Sequence, residues 1–230
     1  MRVFTPTRRR GFEHLDNPDT DPLLRKRSLR DVRRANTVLG GANAVLAEVR
    51  RLLPALGPHV TLLDVGTGLA DIPAKARKVA ARQGVRLFAV GLDEAGSLAA
   101  HSAEVLDASV CGDARVLPFA TSSVDVVTCS QVLHHFEDHE IALVLGEMHR
   151  VARRAVIVSD LRRSWIAVAG FWLVTWLLGF HPVSRHDGMV SVLRGFTNED
   201  LADHVRRSTG NLANIRRHLG YRLTATWFPT

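Results

Sequence analysis

The chain has 230 residues, enough for one α/β domain with a full core and short of two ordinary domains. Hydrophobic residues make up 46% and charged residues 23%, with no repeat or low-complexity tract, which excludes a disordered or fibrous chain. The formal charge of +7 is mostly arginine, but the arginines stand in twos and threes with few aromatics among them, so they read as solvated surface or contact with an anionic membrane rather than a nucleic-acid track.

The opening segment, MRVFTPTRRRGFEHLD, is basic but reaches Glu13, His14 and Asp16 without an apolar stretch, so it does not read as a secretory signal. Asp21 before Pro22 predicts an N-cap and a first helix, with Leu29, Val32, Ala35 or Asn36, and Leu39 at helical spacing until Gly40-Gly41 interrupts it. A second helix, ANAVLAEVRRLL, is expected to end before Pro54. Together residues 1–57 are expected to form an N-terminal helical cap.

From Val60 the pattern becomes strands alternating with helices: VTLLDVG, a helix through AKARKVAAR, VRLFAVGLD, a helix through SLAAHSAEVL, VCGDA and VDVVTCS. The helix EIALVLGEMHRVA then leads into AVIVSDL. Continuous apolar strands separated by such helices predict a doubly wound, mostly parallel seven-stranded sheet over residues 58–230. Cys111 and Cys129 fall in or beside these strands without a CxxC or Cys/His cluster, and are expected to be reduced core thiols of a cytoplasmic protein, with peripheral contact at a membrane as the alternative. Past Asp160 the alternation lapses over an insert, residues 162–196, containing WIAVAGFWLVTWLLGF and SRHDG. FTNEDLADHVRR restarts the pattern with Thr197 and Asp200 as a capping box, and NIRRHL and YRLTATWF, parted by Gly220, predict an antiparallel hairpin at the sheet edge.

The stretch TLLDVGTGLADIP carries the chemistry. A dinucleotide fingerprint fails at its third glycine, where Asp71 stands, and a phosphate-binding Walker loop fails for want of Gly-Lys-Ser/Thr. Asp64, Gly66, Gly68 and Ala70 instead form D-x-G-x-G-x-A, which resembles the first motif of the class I S-adenosylmethionine-dependent methyltransferases, with Ala70 for the last glycine. The resemblance implies a Rossmann-like fold, S-adenosylmethionine as cofactor and S-adenosylhomocysteine as product. It assigns cofactor contacts to Asp64, Gly66, Thr67 and Gly68, to Asp93 and Glu94 at the ribose, to Asp113 and Ala114 at the adenine, and to Ser130 and Gln131 under the methionine moiety.

SQVLHHF follows the fourth strand where nucleic-acid amino methyltransferases carry an Asn/Asp-Pro-Pro-aromatic motif, so no nucleic-acid acceptor is expected. The chain is similar to the quinone-biosynthesis and natural-product branch, and RSLRDVRRANTVLGG and SRHDGMVSVLRGFT resemble methyltransferases associated with polyketide synthases that make phenolic lipids. That implies O-methylation of a lipophilic phenolic or polyketide-derived hydroxyl, with C-methylation of a quinone precursor as the alternative. A phenol profits from a base tuned near neutrality, for which His135 and His186 are the candidates. His134 is placed against the substrate or the backbone beside it, and Asp187 either orients an imidazole or caps a turn. His101, His139, His181, His204 and His218 are read as structural or solvated, and no metal site is expected. Phe171 with Trp172 or Trp176 is expected to line the acceptor pocket from the apolar insert segment, whose other face meets the N-terminal helices or lipid. Two other classes stand as rivals, an NAD-dependent oxidoreductase and a non-catalytic membrane-associated scaffold; the oligomeric expectation is monomer or homodimer.

Overall fold

The computed structural model describes residues 5–9, 11–14, 21, 23–24, 27–28, 30–31, 34–35 and 40–229. Asp21 Oδ2 accepts the backbone N–H of Leu24 at 2.8 Å, the N-cap contact expected there, and the described residues between Leu23 and Ala35 are helical. Pro22, Leu29, Val32, Asn36 and Leu39 lie outside the described residues. Gly40, at φ 69°, turns the chain into helix α1 (Gly41–Leu56). This helix continues through Pro54 instead of stopping before it: so near the end a proline forfeits one backbone hydrogen bond, while Leu53 and Leu56 still bury.

Strands and helices then alternate as β1 (His59–Val65), α2 (Asp71–Ala81), β2 (Arg86–Asp93), α3 (Gly96–Val105), β3 (Ala108–Cys111), β4 (Val124–Ser130), α4 (Asp138–Val151) and β5 (Ala152–Leu161). The insert folds as two helices, α5 (Trp165–Leu177) and α6 (Pro182–Arg194). Helix α7 (Asn198–Thr209) and strands β6 (Asn214–His218) and β7 (Arg222–Trp227) follow. The seven strands form one sheet in the order β3-β2-β1-β4-β5-β7-β6, with β1 to β5 parallel and β7 antiparallel to both its neighbours. The hairpin turn takes three residues, Leu219 to Tyr221, with Gly220 and Tyr221 both at positive φ.

Both faces of the sheet are covered, which is why every residue of β4 is buried instead of alternate ones facing water. Its Val127 and Cys129 join Leu145, Met148, Val205 and Trp227 on one side, and Val126 joins Val49, Leu53, Val79 and Ile157 on the other. Cys129 is a core thiol as expected, but Cys111 is exposed, because β3 is a four-residue strand at the sheet edge. Helix α7 starts on the predicted capping box: Thr197 Oγ1 accepts from Asp200 N at 3.1 Å, and Asp200 Oδ2 from Thr197 N at 2.9 Å. Strand order reverses between β1 and β4, and at the carboxyl ends of those two strands the sheet opens into a crevice.

Candidate active site

The glycine turn leaves β1 at Val65 and is held by strand β2. Gly66 N and Thr67 N both donate to Leu92 O, at 2.8 and 2.9 Å, and Gly68 N donates to Asp93 Oδ2 at 2.9 Å. Gly66 (φ 69°) admits no side chain, since a Cβ there would lie 2.5 Å from Val132 Cγ2 of the loop after β4. A Cβ at Gly68 (φ 54°) would meet nothing within 4 Å, so this bend faces open space. Ala70, in the last glycine position of the motif, is itself left-handed at φ 59°. The backbone therefore keeps the bend that a glycine would make there, at the strain cost of a Cβ.

A cavity of about 680 Å³ fills the crevice, within the usual size of small-molecule sites. Its floor is Asp64, the glycine turn, Ser130, Gln131, His134 and His135; its roof is Ala167, Gly170, Phe171 and Val174 of α5 with Gly188 and Ser191 of α6. Asp64 is buried beneath the turn, with Thr128 Oγ1 donating to Oδ1 at 2.6 Å and Thr67 Oγ1 to Oδ2 at 3.1 Å. Burial outweighs the two hydroxyls and pushes its pKa up to about 7. Ser130 Oγ is buried and meets no partner among the described residues. Gln131, at φ 59°, is a second non-glycine residue in the left-handed region on the rim.

The two histidines differ in environment. His134 is buried, with Nδ1 2.7 Å from Asp160 Oδ1, while its backbone N donates to Asp160 Oδ2 at 3.2 Å. Burial raises the Asp160 carboxyl, but His134 and the backbone N–H of Leu161 more than offset this and hold it below its usual range. An ionised Asp160 can only accept, so Nδ1 of His134 donates to it. His135 is exposed toward the cavity, with its ring 4.2 Å from that of His134 and its Nδ1 3.5 Å from an Arg194 guanidinium nitrogen.

The N-terminal segment straps the roof in place. Arg9 N donates to Leu193 O at 3.3 Å, Arg8 Nε to Arg194 O at 2.8 Å, and buried Arg163 binds Pro6 O at 2.8 Å and Gly195 O at 2.6 Å. Glu13, inside the strap, lines the cavity and holds Arg194 at 2.9 Å and Ser191 Oγ at 2.9 Å. His186 Nδ1 lies 3.1 Å from Asp187 Oδ1, which also accepts His14 N at 3.0 Å. His181 is structural, as expected: it caps α6 by accepting from Val183 N at 3.3 Å.

The fold thus brings Asp64, Gly66, Thr67, Gly68, Ser130, Gln131, His134, His135 and Phe171 to one cavity. Asp93 sits behind the turn, each oxygen accepting one backbone N–H, from Gly68 and from Ala95. Glu94 is exposed beside it. Arg115 forks onto both oxygens of Asp113 at 2.8–3.0 Å and holds its carboxyl below the usual range. Ala114 is buried next to it. His186 does not line the cavity, and Trp172 and Trp176, expected at its wall, instead face outward, stacked on each other with ring centroids 6.5 Å apart. Sequence reasoning missed Glu13, Asp160, Ser191 and Arg194. Asp160 carried a signal, an acidic residue at the carboxyl end of an apolar strand; Glu13 carried none, being more than a hundred positions from its neighbours in the site.

Residues 63–158, which include the turn, β4 and both cavity histidines, match the family model for the methyltransferase domain. The biotin biosynthesis bifunctional protein BioHC of Cellvibrio japonicus is 30% identical over 155 residues, or 63% of this chain. The chain spans 30% of the length of that curated relative. The structure of magnesium protoporphyrin IX methyltransferase (ChlM) from Synechocystis PCC 6803 with bound SAM is similar at a TM-score of 0.56 and 13% identity, covering 94% of this chain and 88% of that one. That of the plantazolicin methyltransferase BamL, in complex with a triazolic desmethylPZN analog and SAH, is similar at a TM-score of 0.63 and 12% identity, covering 89% and 74%. The architecture is the Rossmann-like class I methyltransferase fold.

Proposed function

We propose that this chain is an S-adenosylmethionine-dependent methyltransferase acting on a lipophilic small molecule, with a phenolic or polyketide-derived hydroxyl as acceptor. The observation that carries the reading is the single cavity joining a glycine turn at the β1/β4 switch point to an apolar roof. Its atoms fit the cofactor. Gly68 leaves open space where a ligand backbone would pass, Ser130 Oγ is buried with no described partner, and Asp93 keeps lone pairs for ribose hydroxyls after accepting two N–H groups. Asp64 suits a cationic amine, which would favour its ionised form.

Bound, S-adenosylmethionine supplies an electrophilic methyl carbon on a positively charged sulfur. The chain contributes alignment and a dry, apolar roof over the reacting atoms, the conditions under which a charge-dispersing displacement gains most. His135, at the cavity rim, takes the acceptor's proton; His134, fixed by Asp160, lines the same space and orients the hydroxyl. In this reading residues 1–57 form a cap that straps the site, residues 58–230 the catalytic domain, and residues 162–196 its lid.

Calorimetric titration with S-adenosylhomocysteine, followed by mass spectrometry of a panel of phenols incubated with S-adenosylmethionine, tests the reading. Tight binding with a methyl gain on a phenolic oxygen supports it. A methyl on ring carbon would move the acceptor to the quinone-precursor class, and binding of NAD without S-adenosylhomocysteine would overturn it.

A further inference from the structure

Helix α5 divides its residues between two environments. Ala167, Gly170, Phe171 and Val174 face the cavity, whereas Trp165, Ile166, Trp172, Leu173, Trp176 and Leu177 are 42–67% exposed. Three of the four tryptophans therefore stand on one outward surface. The polar side chain of this helix makes no demand on water: Thr175 is buried and returns its hydroxyl to Phe171 O at 2.7 Å and Trp172 O at 3.1 Å. A soluble surface seldom carries so continuous an apolar stripe unless it serves a partner.

The stripe is bordered by positive charge. Arg9 lies over Trp165 at its start, at 5.9 Å, and Arg34 over Phe180 beyond its end, at 5.6 Å; both arginines are exposed. The whole chain carries +7. Thirteen residues make a helix about 20 Å long, and among the described residues no helix is long and apolar enough to cross a membrane. Exposed tryptophans and leucines flanked by arginines match a helix lying in the plane of an anionic lipid interface, where indole rings settle at headgroup level and guanidinium groups meet phosphates.

We propose that α5 docks this protein on the surface of an anionic bilayer. The inference deepens the lipophilic-acceptor reading on which it rests, because one face of α5 roofs the acceptor cavity while the other touches the lipid from which such an acceptor would come.

The test is co-sedimentation of the full chain with phosphatidylglycerol-containing vesicles and with pure phosphatidylcholine vesicles, alongside tryptophan emission. Preferential binding to the anionic vesicles with a blue shift is expected, since three tryptophans move from water to the interface. Leu173→Glu/Leu177→Glu should lower the partition by about tenfold or more with the melting temperature unchanged. Should that variant misfold, Arg9→Glu/Arg34→Glu carries the same expectation without altering the apolar stripe. No binding to either vesicle, or equal binding by wild type and variants, overturns the proposal. So does a concentration-dependent dimer abolished by Leu173→Glu/Leu177→Glu in a protein that ignores vesicles, which would assign the stripe to a second copy. S-adenosylhomocysteine affinity, measured separately, decides the methyltransferase reading whatever the vesicles show.

Discussion

His134 and Asp160 are joined twice, ring to carboxylate at 2.7 Å and backbone N–H to carboxylate at 3.2 Å, so one buried acid fixes both the position and the tautomer of one cavity histidine. Both oxygens of Asp160 face N–H donors, Oδ1 also accepting from Leu161 N. An amide at this position must turn its own N–H₂ against one of them. Asp160→Asn is therefore expected to cost about 3 kcal/mol of stability and to lower turnover on the order of a hundredfold by releasing the ring. Because Asp160 has a lowered pKa when folded, its contribution is present above the ordinary 3.8 and fades as pH falls through the folded value. The stability gap between wild type and variant, followed by denaturation across pH, should shrink only in acid. A gap that stays constant down to strongly acid pH would contradict an ionised Asp160.

The buried Asp64 predicts the opposite slope. Its folded pKa of about 7 lies above the unfolded 3.8, so the folded state binds the extra proton and stability falls as pH rises from about 4 to 7. Asp64→Asn removes the titration. The melting temperature of wild type relative to this variant should decline across that interval and level off above it, by an amount on the order of a few kcal/mol in free energy. A parallel course of the two proteins with pH would show that Asp64 remains charged throughout.

Much of this was legible in the chain. Every strand from β1 to β5 and the glycine turn follow from period, apolar runs and G-x-G spacing, because those features act within a few residues. Ala70 looked like a departure in sequence and proves to hold the glycine-like bend. The lid was harder to read. Apart from Thr175, α5 is apolar and has no polar face to show which side turns inward, so the sequence does not separate Trp172 and Trp176 from Phe171, which packs against Gly188 of α6. Glu13 and Arg194 meet through a strap that no local pattern announces. The fork from Arg115 onto Asp113, two residues away, leaves no mark in periodicity.

Asp93 anchors the glycine turn through Gly68 N at 2.9 Å while leaving acceptor capacity for a diol. Asp93→Ala should weaken S-adenosylhomocysteine binding by roughly 1.5–3 kcal/mol for each charge-assisted hydrogen bond lost and also lower the melting temperature by a few degrees, since two backbone N–H groups lose their acceptor. Calorimetry and thermal unfolding read the two effects separately. Unchanged affinity would remove Asp93 from the cofactor site.

The two candidate bases, His135 and His186, occupy different places and are expected to differ in effect. His135 lines the cavity and His186 does not, lying instead where α6 meets the strap. His135→Gln is expected to lower turnover about a hundredfold with S-adenosylhomocysteine affinity kept; His186→Gln should leave turnover within a factor of about two. Equal losses in both would mean that the lid is reorganised on binding.

The closeness of Gly188 and Phe171 gives the sharpest test of the lid. A Cβ on Gly188 would lie 2.1 Å from Phe171 Cζ, so α5 and α6 meet only because that position is bare. Gly188→Ala must push the ring out of place or part the helices, an overpacking cost of about 1–3 kcal/mol, even though alanine favours the helix. Phe171→Ala alone opens the roof of the cavity and should raise the Michaelis constant for a long-chain phenol more than for its short-chain analogue. Combined, the two substitutions should be much less damaging to stability than their sum, because the alanine methyl enters space the ring has vacated. Trp172→Ala/Trp176→Ala, on the outer face, should leave the long-chain to short-chain ratio of Michaelis constants unchanged in detergent-free solution. A double-mutant cycle by denaturation, read beside that ratio, distinguishes a roof set by this contact from one set by the outer tryptophans: additive stabilities with a chain-length effect confined to the tryptophan variant would reverse the assignment of the inner and outer faces of α5.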